Sequence, residues 1–370
     1  MPKAIHVTSV HRLHDNRIFH KQCASLRDNG WEVVLVAQHD RDESISGIRV
    51  RALPRPANRM ERMTKLPELA LGICREEGAD ICHLHDPELL KIAALLKRDV
   101  SPVVFDMHEN IVKDILTKPW LPALLRPAVS AYVRQRLRRW LSGMPVIFAE
   151  LSYHADYPYV DTYTTVLNMP RHAELSGIRA EKHLRPTLVY VGGVTRARGS
   201  VTMLEALARL QAAGLDCALE LVGPVEERHR QELDELISSR GIANVRFHGF
   251  LPAGEAWPVA ARCHVGMALL SSIPNYVESY PSKIFEYMAL GLPVVTSDFE
   301  LYRSVIAESA AGICVDPEDA TAVAETLAAL LADGERMEEM SAAGRAITGS
   351  RFNWETEERR LLDFYARQLG

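Results

Sequence analysis

The sequence predicts an α/β protein made of two doubly wound parallel-sheet domains in tandem. Three observations lead there. Short β-rich runs alternate with helical patterns from end to end, as they do where crossover helices join parallel strands. The alternation begins afresh after Pro186. The chain has 370 residues, and at roughly 100–200 residues per domain this accommodates two such units.

In the first half, Ala4–Thr8 reads as a strand and Arg17–Asp28 as a helix, which Gly30 stops before a strand at Glu32–Ala37. Pro67–Glu77 is helical, Ile81–Leu84 a strand, and Pro87–Leu96 a helix with proline in its first turn. Val103–Met107 and Val146–Phe148 are further strands. The second half has strands at Thr187–Val191, Ala218–Val222, Val245–Phe250, Val265–Leu269, Val294–Thr296 and Gly312–Val315. Its helices are Ser200–Ala213, Glu226–Arg240, Ser282–Leu290 and Ala320–Ala332, and helical Trp354–Gln368 closes the chain. The resulting division is a first domain over 1–167, a polar linker over 168–186, a second domain over 187–350, and a closing helix over 351–370 expected to pack back on the first domain. Two such domains would leave a cleft between the carboxyl ends of their sheets, where open α/β sheets bind ligands.

Composition excludes several classes. Lys and Arg number 43 against 48 Asp and Glu, a net charge of −5, so no nucleic-acid partner is expected. The six cysteines form no C-x-x-C pair and read as reduced, mostly buried thiols rather than zinc or redox ligands. The opening MPKAIHVTSV has no apolar signal region, and no stretch approaches the roughly 18 apolar residues of a membrane span. A cytoplasmic location is expected.

The densest chemical signal is Glu278-Ser-Tyr-Pro-Ser-Lys-Ile-Phe-Glu286, followed by Gly291-Leu-Pro and an apolar strand. Pro281 suits a helix start and Ser282 can cap one. That arrangement places Glu278 in the loop and Glu286 inside the helix. The helix start would suit an anion, and Lys283 adds a positive charge there. A second signal is Tyr190-Val-Gly-Gly193-Val-Thr-Arg196-Ala-Arg198-Gly199, a strand, a glycine turn and two arginines before a helix. Glycine lets backbone approach a ligand, and arginine neutralises phosphate.

Other groups are weighed against plainer readings. His83-Leu-His85-Asp86 puts two imidazoles on one strand face, but no third and fourth metal ligand follows at a recognisable spacing. The better reading is a strand-end loop with His85 and Asp86 near donor or acceptor. Asp106 and Glu109 flank His108, and either acid can orient it. Asp40-Arg41-Asp42 reads as a solvated loop rather than a metal-binding D-x-D. Residues Lys118–Ser142 hold Arg126, Arg134, Arg136, Arg138 and Arg139 and no acid, with Val129, Tyr132, Val133, Leu137, Trp140 and Leu141 at helical spacing. Such a helix suits an anionic membrane surface, or else buries its apolar stripe and leaves its arginines in water.

Taken together, these stretches resemble the retaining GT-B glycosyltransferases of family 4, the large nucleotide-sugar-dependent group. The resemblance runs through HVTSVHRLHDNRIFH, HLHDPELL, FDMHEN, YVGGVTRARG, the E-x7-E block with EYMALGLPVV, and the closing Trp354 helix. It suggests a subgroup acting on cell-surface polysaccharides. It implies that Glu286 holds the donor ribose, Glu278 faces the transferred sugar, and the Ser279–Ser282 turn meets the donor phosphates. It further implies that Arg198 neutralises the diphosphate, His108 reaches the donor sugar, and Phe250 lies where the nucleobase is met.

The sequence also departs from that pattern. Gly193 stands where family members often carry arginine, so Arg196 or Lys283 would have to replace it. Asp15, Asn16 and Arg17 occupy the first loop in place of glycines and are acceptor-side candidates with His85 and Asp86. The implied reaction moves a sugar from a UDP-sugar, or a GDP-sugar, to a saccharide or lipid-linked saccharide with retention and without cofactor or essential metal. The implied enzyme is cytoplasmic and peripheral on the inner membrane face. Two alternatives share the architecture, a nucleotide-sugar 2-epimerase and a non-catalytic sugar-nucleotide-binding subunit.

Overall fold

A computed structural model describes residues 1–100, 102–117 and 121–370. The chain divides into two compact units, Met1–Asn168 with Glu357–Gly370, and Met169–Thr356.

The first unit is built on an eight-stranded sheet of order β3-β4-β2-β1-β5-β6-β7-β8. Its strands are β1 (Lys3–Val7), β2 (Glu32–Gln38), β3 (Glu43–Ile45), β4 (Ile48–Leu53), β5 (Ile81–Leu84), β6 (Val103–Met107), β7 (Val146–Phe148) and β8 (Tyr163–Thr165). All neighbours are parallel except the edge hairpin β3–β4. The central strands β1, β5 and β6 are buried nearly end to end, as expected of parallel strands covered on both faces. Helices pack residues such as Leu66, Leu71, Leu89, Leu96, Leu137 and Leu141 against them.

The second unit has a six-stranded, wholly parallel sheet of order β11-β10-β9-β12-β13-β14. These strands are β9 (Thr187–Val191), β10 (Ala218–Val222), β11 (Val245–Gly249), β12 (Val265–Ala268), β13 (Val294–Ser297) and β14 (Gly312–Val315). Its core gathers Leu188, Tyr190, Leu204, Leu207, Met267, Val295 and Leu327. In each sheet the chain order reverses at a central pair, between β1 and β5 and between β9 and β12. Such reversals open a crevice at the carboxyl ends of the strands.

Four departures from the sequence reading bear on the site or on the division into units. The outer strands β3, β4 and β8 were not expected, because Arg49 and Arg51 interrupt the apolar run of β4 and β3 and β8 have three residues each. The helix expected over Arg17–Asp28 begins as a π-helix, Asn16–Cys23, and becomes an α-helix only at Ala24–Asp28. Asp15 opens this wide turn. Its side chain accepts from the Arg17 and Ile18 amides at 2.9 Å each, and its carbonyl accepts from Phe19 and His20 at 3.0 and 3.3 Å. The helix at Ser282–Leu290 has Pro281 at its cap position and no side-chain cap, so Ser282 does not play the capping role expected of it.

The fourth departure is the segment 168–186, which is built into the second unit instead of standing apart. It forms a helix at His172–Ser176. Pro170 accepts a bond from Trp354 N–H at 2.7 Å, and His183 N–H donates to Arg262 O at 3.0 Å. Residues Glu357–Gly370 of the final helix, Trp354–Leu369, group with the first unit.

Candidate functional site

In the second unit the candidate site lies where the turns after β9, β10 and β12 meet. Gly192 N–H donates to Val222 O and Gly223 N–H to Gly249 O, both at 2.7 Å. Gly223, at φ +146°, could carry no side chain, because a Cβ there would lie 1.9 Å from Gly192 O. Gly199, at φ +77°, is as constrained, because a Cβ would lie 2.3 Å from Leu269 O. These close approaches fix the glycine turn and the backbone from which Arg198 projects.

Both cations lean over the Gly192-Gly193 turn. A Cβ on Gly192 would meet Lys283 Nζ at 3.0 Å, and one on Gly193 would meet Arg198 Nη1 at 3.7 Å. Arg198 donates from Nε to the Tyr276 hydroxyl at 3.3 Å and stands over the Tyr276 ring, 5.9 Å from its centre. The Tyr190 hydroxyl donates to Gly193 O at 3.0 Å, and the Lys283 ammonium lies 5.8 Å from the Tyr190 ring centre. Burial pushes Lys283 below the ordinary lysine range, while the nearby Glu286 carboxylate favours its charge and Arg198 opposes it. Among the described residues no salt bridge joins a carboxylate to either cation. Lys283 also sits in the first turn of a helix whose cap residue, Pro281, supplies no side-chain cap. Two cations and a helix start therefore converge on one turn, a surrounding that suits a polyanion.

Glu286 is half-buried, one turn along the helix from Lys283. Glu278, also half-buried, ends the short helix Pro274–Val277. Arg196 points elsewhere: it is 68% exposed and pairs with Glu232 at 3.4 Å. At Gly193 the neighbouring side-chain atom is Arg198 Nη1, while Lys283 stands against Gly192. Phe250 lies just beyond β11, which ends at Gly249, and is 74% exposed.

In the first unit, parallel register builds a polar cluster at the carboxyl ends of β1, β5 and β6. His6 pairs with His83. Leu84 pairs with Phe105, which sets His85 level with Asp106. Asp106 is fully buried and receives Arg17 through two bonds, Nε to Oδ2 at 2.9 Å and Nη2 to Oδ1 at 2.8 Å. Gln22 donates to the same Oδ2 at 2.7 Å. Arg17 and Gln22 are five residues apart, and the π-turn brings both onto one face. His108 Nε2 lies 3.1 Å from Asp106 Oδ2 and 3.0 Å from His85 Nδ1. Burial alone would raise the Asp106 pKa, but the Arg17 charge and then His108 outweigh it and hold the carboxyl well below the usual range. Of the two acids flanking His108, Asp106 is the orienting one, and Glu109 is exposed.

Asp86 forms a second knot. It accepts from Thr8 Oγ1 at 2.8 Å, from Ser9 N–H at 2.6 Å and from Val10 N–H at 3.2 Å. It also pairs with His11 at 3.0 Å. Burial opposes its ionisation, yet His11 and the donors bring its pKa down to about 2. The expectation that Arg17, His85 and Asp86 present their side chains to an acceptor gives way here. All three are buried and spent on internal partners, because isolated charges inside a sheet must be paired. Asp15 likewise uses its carboxylate on backbone amides, and Asn16 begins the π-helix. The residue that these groups position, His108, retains partial exposure.

Sequence reasoning missed His6, Gln22, Tyr190, Tyr276 and Tyr365. The one available signal was polar residues inside strand-like apolar runs, His6 in AIHV and Asp106 in VVFDM.

Two family models match the chain, "Glycosyl transferases group 1" over residues 173–347 and "Glycosyl transferase 4-like domain" over residues 16–144. A phosphatidyl-myo-inositol mannosyltransferase of Mycobacterium leprae is 25% identical over 359 residues, spanning 92% of this chain and 89% of the relative. An alpha-D-kanosaminyltransferase of Streptomyces kanamyceticus is 25% identical over 249 residues, 67% of this chain and 62% of the relative. Among solved structures, a sucrose-phosphate synthase from Thermosynechococcus elongatus superposes with TM-score 0.75 at 18% identity, covering 99% of both chains. Anabaena HepE, solved with UDP and glucose, superposes with TM-score 0.74 at 15% identity, covering 99% of this chain and all of that one. These likenesses establish two GT-B-type units.

Proposed function

The chain belongs to the group 1 glycosyl transferases, and on that premise we propose that it moves a sugar from a nucleoside-diphosphate donor to a saccharide or lipid-linked saccharide, with retention. One observation carries the donor class: Arg198 and Lys283, unpaired with any carboxylate among the described residues, converge on a glycine turn beside an uncapped helix start. Breaking the sugar–phosphate bond builds charge on the diphosphate oxygen. Fixed cations and amide dipoles stabilise that charge, each worth roughly 2.7–4 kcal/mol if it behaves as an oxyanion-hole donor. These groups are the chain's own means of stabilising the leaving group, so the reading needs no cofactor or essential metal at this step.

Glu286 is assigned to the ribose hydroxyls, Ser282 and the Ser279–Ser282 backbone to the phosphates, and Glu278 and His108 to the transferred sugar. Phe250 marks the nucleobase end. UDP is the favoured carrier, since Anabaena HepE carries UDP and glucose on this fold. A thermal-shift series with UDP, GDP and their sugars tests the reading. The expected result is stabilisation by one base's diphosphate, scaling with ligand concentration. Absence of any shift at millimolar ligand would overturn it. Incubation with donor alone separates transfer from 2-epimerisation, because transfer requires acceptor.

The lipid-linked acceptor draws support from the helix Arg126–Leu141. It buries only Ser130, Leu137 and Leu141, while Val133 and Trp140 are half-buried against the core. Tyr132 is 61% exposed and the preceding Leu124 95% exposed. Arg136 stacks on Trp140 at 4.6 Å, and Arg134, Arg138 and Arg139 face solvent. Lys118 lies outside the described residues. Among the described residues no helix is long and apolar enough to cross a membrane, so we assign this basic face to the anionic inner leaflet and its synthesis to cell-surface polysaccharide. Replacing Arg134, Arg138 and Arg139 by glutamine is expected to cut binding to phosphatidylglycerol vesicles at least tenfold at low salt, at about 1 kcal/mol per basic residue. Unchanged vesicle co-sedimentation would remove the membrane assignment.

A further inference from the structure

We propose that His6, His83 and His85 form a structural site for a divalent transition-metal cation of the zinc type, inside the first unit and apart from the donor-phosphate site. The sequence offered only two imidazoles on one strand, and parallel pairing of β1 with β5 brings in the third. Each ring offers one nitrogen to a set lying within 4.8 Å of one another, and all three side chains are buried.

Hydrogen bonds around the rings leave the right atoms facing one another. Tyr365, on the last helix, has its hydroxyl 2.7 Å from His83 Nδ1 and 3.2 Å from His6 Nε2. The phenol oxygen can accept an N–H from each. His85 Nδ1 lies 3.0 Å from His108 Nε2 and 3.4 Å from Asp106 Oδ2, so its proton also has an outward destination. With those protons placed outward, His6 Nδ1, His83 Nε2 and His85 Nε2 keep their lone pairs. His6 Nδ1 and His85 Nε2 are 2.9 Å apart, somewhat inside the roughly 3.3 Å edge that two bonds of about 2.0–2.1 Å span at a tetrahedral zinc, so the two rings would part by a few tenths of an ångström to admit the ion. His83 Nε2 is buried and has no partner among the described residues. An unpaired buried nitrogen is costly, and coordination would satisfy it. Outer hydrogen bonds of this kind fix tautomer and ring orientation in metal sites.

A neighbouring trio, His85, Asp106 and His108, also brings ligand atoms together. The Arg17 guanidinium occupies both Asp106 oxygens there and would oppose a cation. The Arg17 charge also weighs on His83, but its guanidinium bonds fall on Asp106 and Val166 O and leave the inner trio's three ligand nitrogens clear. Its burial means the ion would enter during folding and leave only on unfolding.

The test uses the full chain purified from cells grown with added zinc, washed with EDTA in the native state, then unfolded in guanidinium with a chromophoric zinc chelator. The expected result is about one ion released per chain, and only on unfolding. His83→Gln and His6→Gln should each lower the yield at least tenfold, whereas His108→Gln should keep it. Release below about a tenth of an ion per folded wild-type chain would overturn the site, as would full retention in His83→Gln. Metal retained by His83→Gln but lost in His108→Gln would also overturn it, in favour of the outer trio. Because the wild-type measurement needs no variant to fold, and thermal shifts with nucleotides are read separately, failure here leaves the donor reading untouched.

Discussion

Replacing Glu286 by alanine is expected to lower kcat/KM for the donor by about 10²–10³, and Arg198→Ala by a similar factor, the scale seen when one fixed polar or charged partner is removed. The two losses should differ in form. Arg198 stands over the glycine turn, where Tyr276 holds it without neutralising it. Its charge is worth most when the diphosphate departs, so its removal should appear mainly in kcat. Arg198→Lys keeps the charge but loses the planar fork and the stacking on Tyr276, and should recover only part of the rate. Glu286 is assigned to the ribose, present in ground and transition states alike, so Glu286→Ala should raise KM and leave kcat nearly unchanged. The check is steady-state kinetics with circular dichroism to confirm folding. Near-wild-type kcat/KM in both folded variants would remove this site from the reaction.

Asp106→Ala should cost about 3–5 kcal/mol of stability, because it strands a buried guanidinium. Arg17 has lost nearly all contact with water and spends three nitrogens on Asp106 and Val166 O, the last at 2.8 Å. Gln22 and His108 lose an acceptor as well. Urea unfolding followed by tryptophan fluorescence measures the loss. The double variant Arg17→Met/Asp106→Leu should regain most of it, since an apolar pair of similar volume avoids the desolvation cost. It should still lack the carboxylate that orients His108, so recovered stability with unrecovered activity would separate holding the fold from positioning the histidine. A loss under about 1 kcal/mol in Asp106→Ala, the range of an exposed pair, would mean the ion pair is not the anchor described.

Much of this molecule was written locally. The period of apolar runs marked β1, β2, β5 to β7 and β9 to β14, because buried parallel strands are nearly continuous hydrophobic runs. Glycines at 192, 199 and 291 announced their turns, since left-handed backbone and close approach exclude other residues there. The second-unit residues Arg198, Lys283, Glu278 and Glu286 were legible because they lie in two short stretches.

The first-unit cluster was not legible, for the opposite reason. Arg17 and Asp106, or His6 and Tyr365, are separated by most of a domain and become neighbours only through strand register and the return of the last helix. Tertiary structure also decided which charges are free. Arg196 and Arg198 differ by two positions, yet one faces Glu232 in solvent and the other bends over the glycine turn. Sequence specifies which groups can carry charge. Burial and the placing of partners, properties of the packed chain, determine which of them have charge left to offer a ligand.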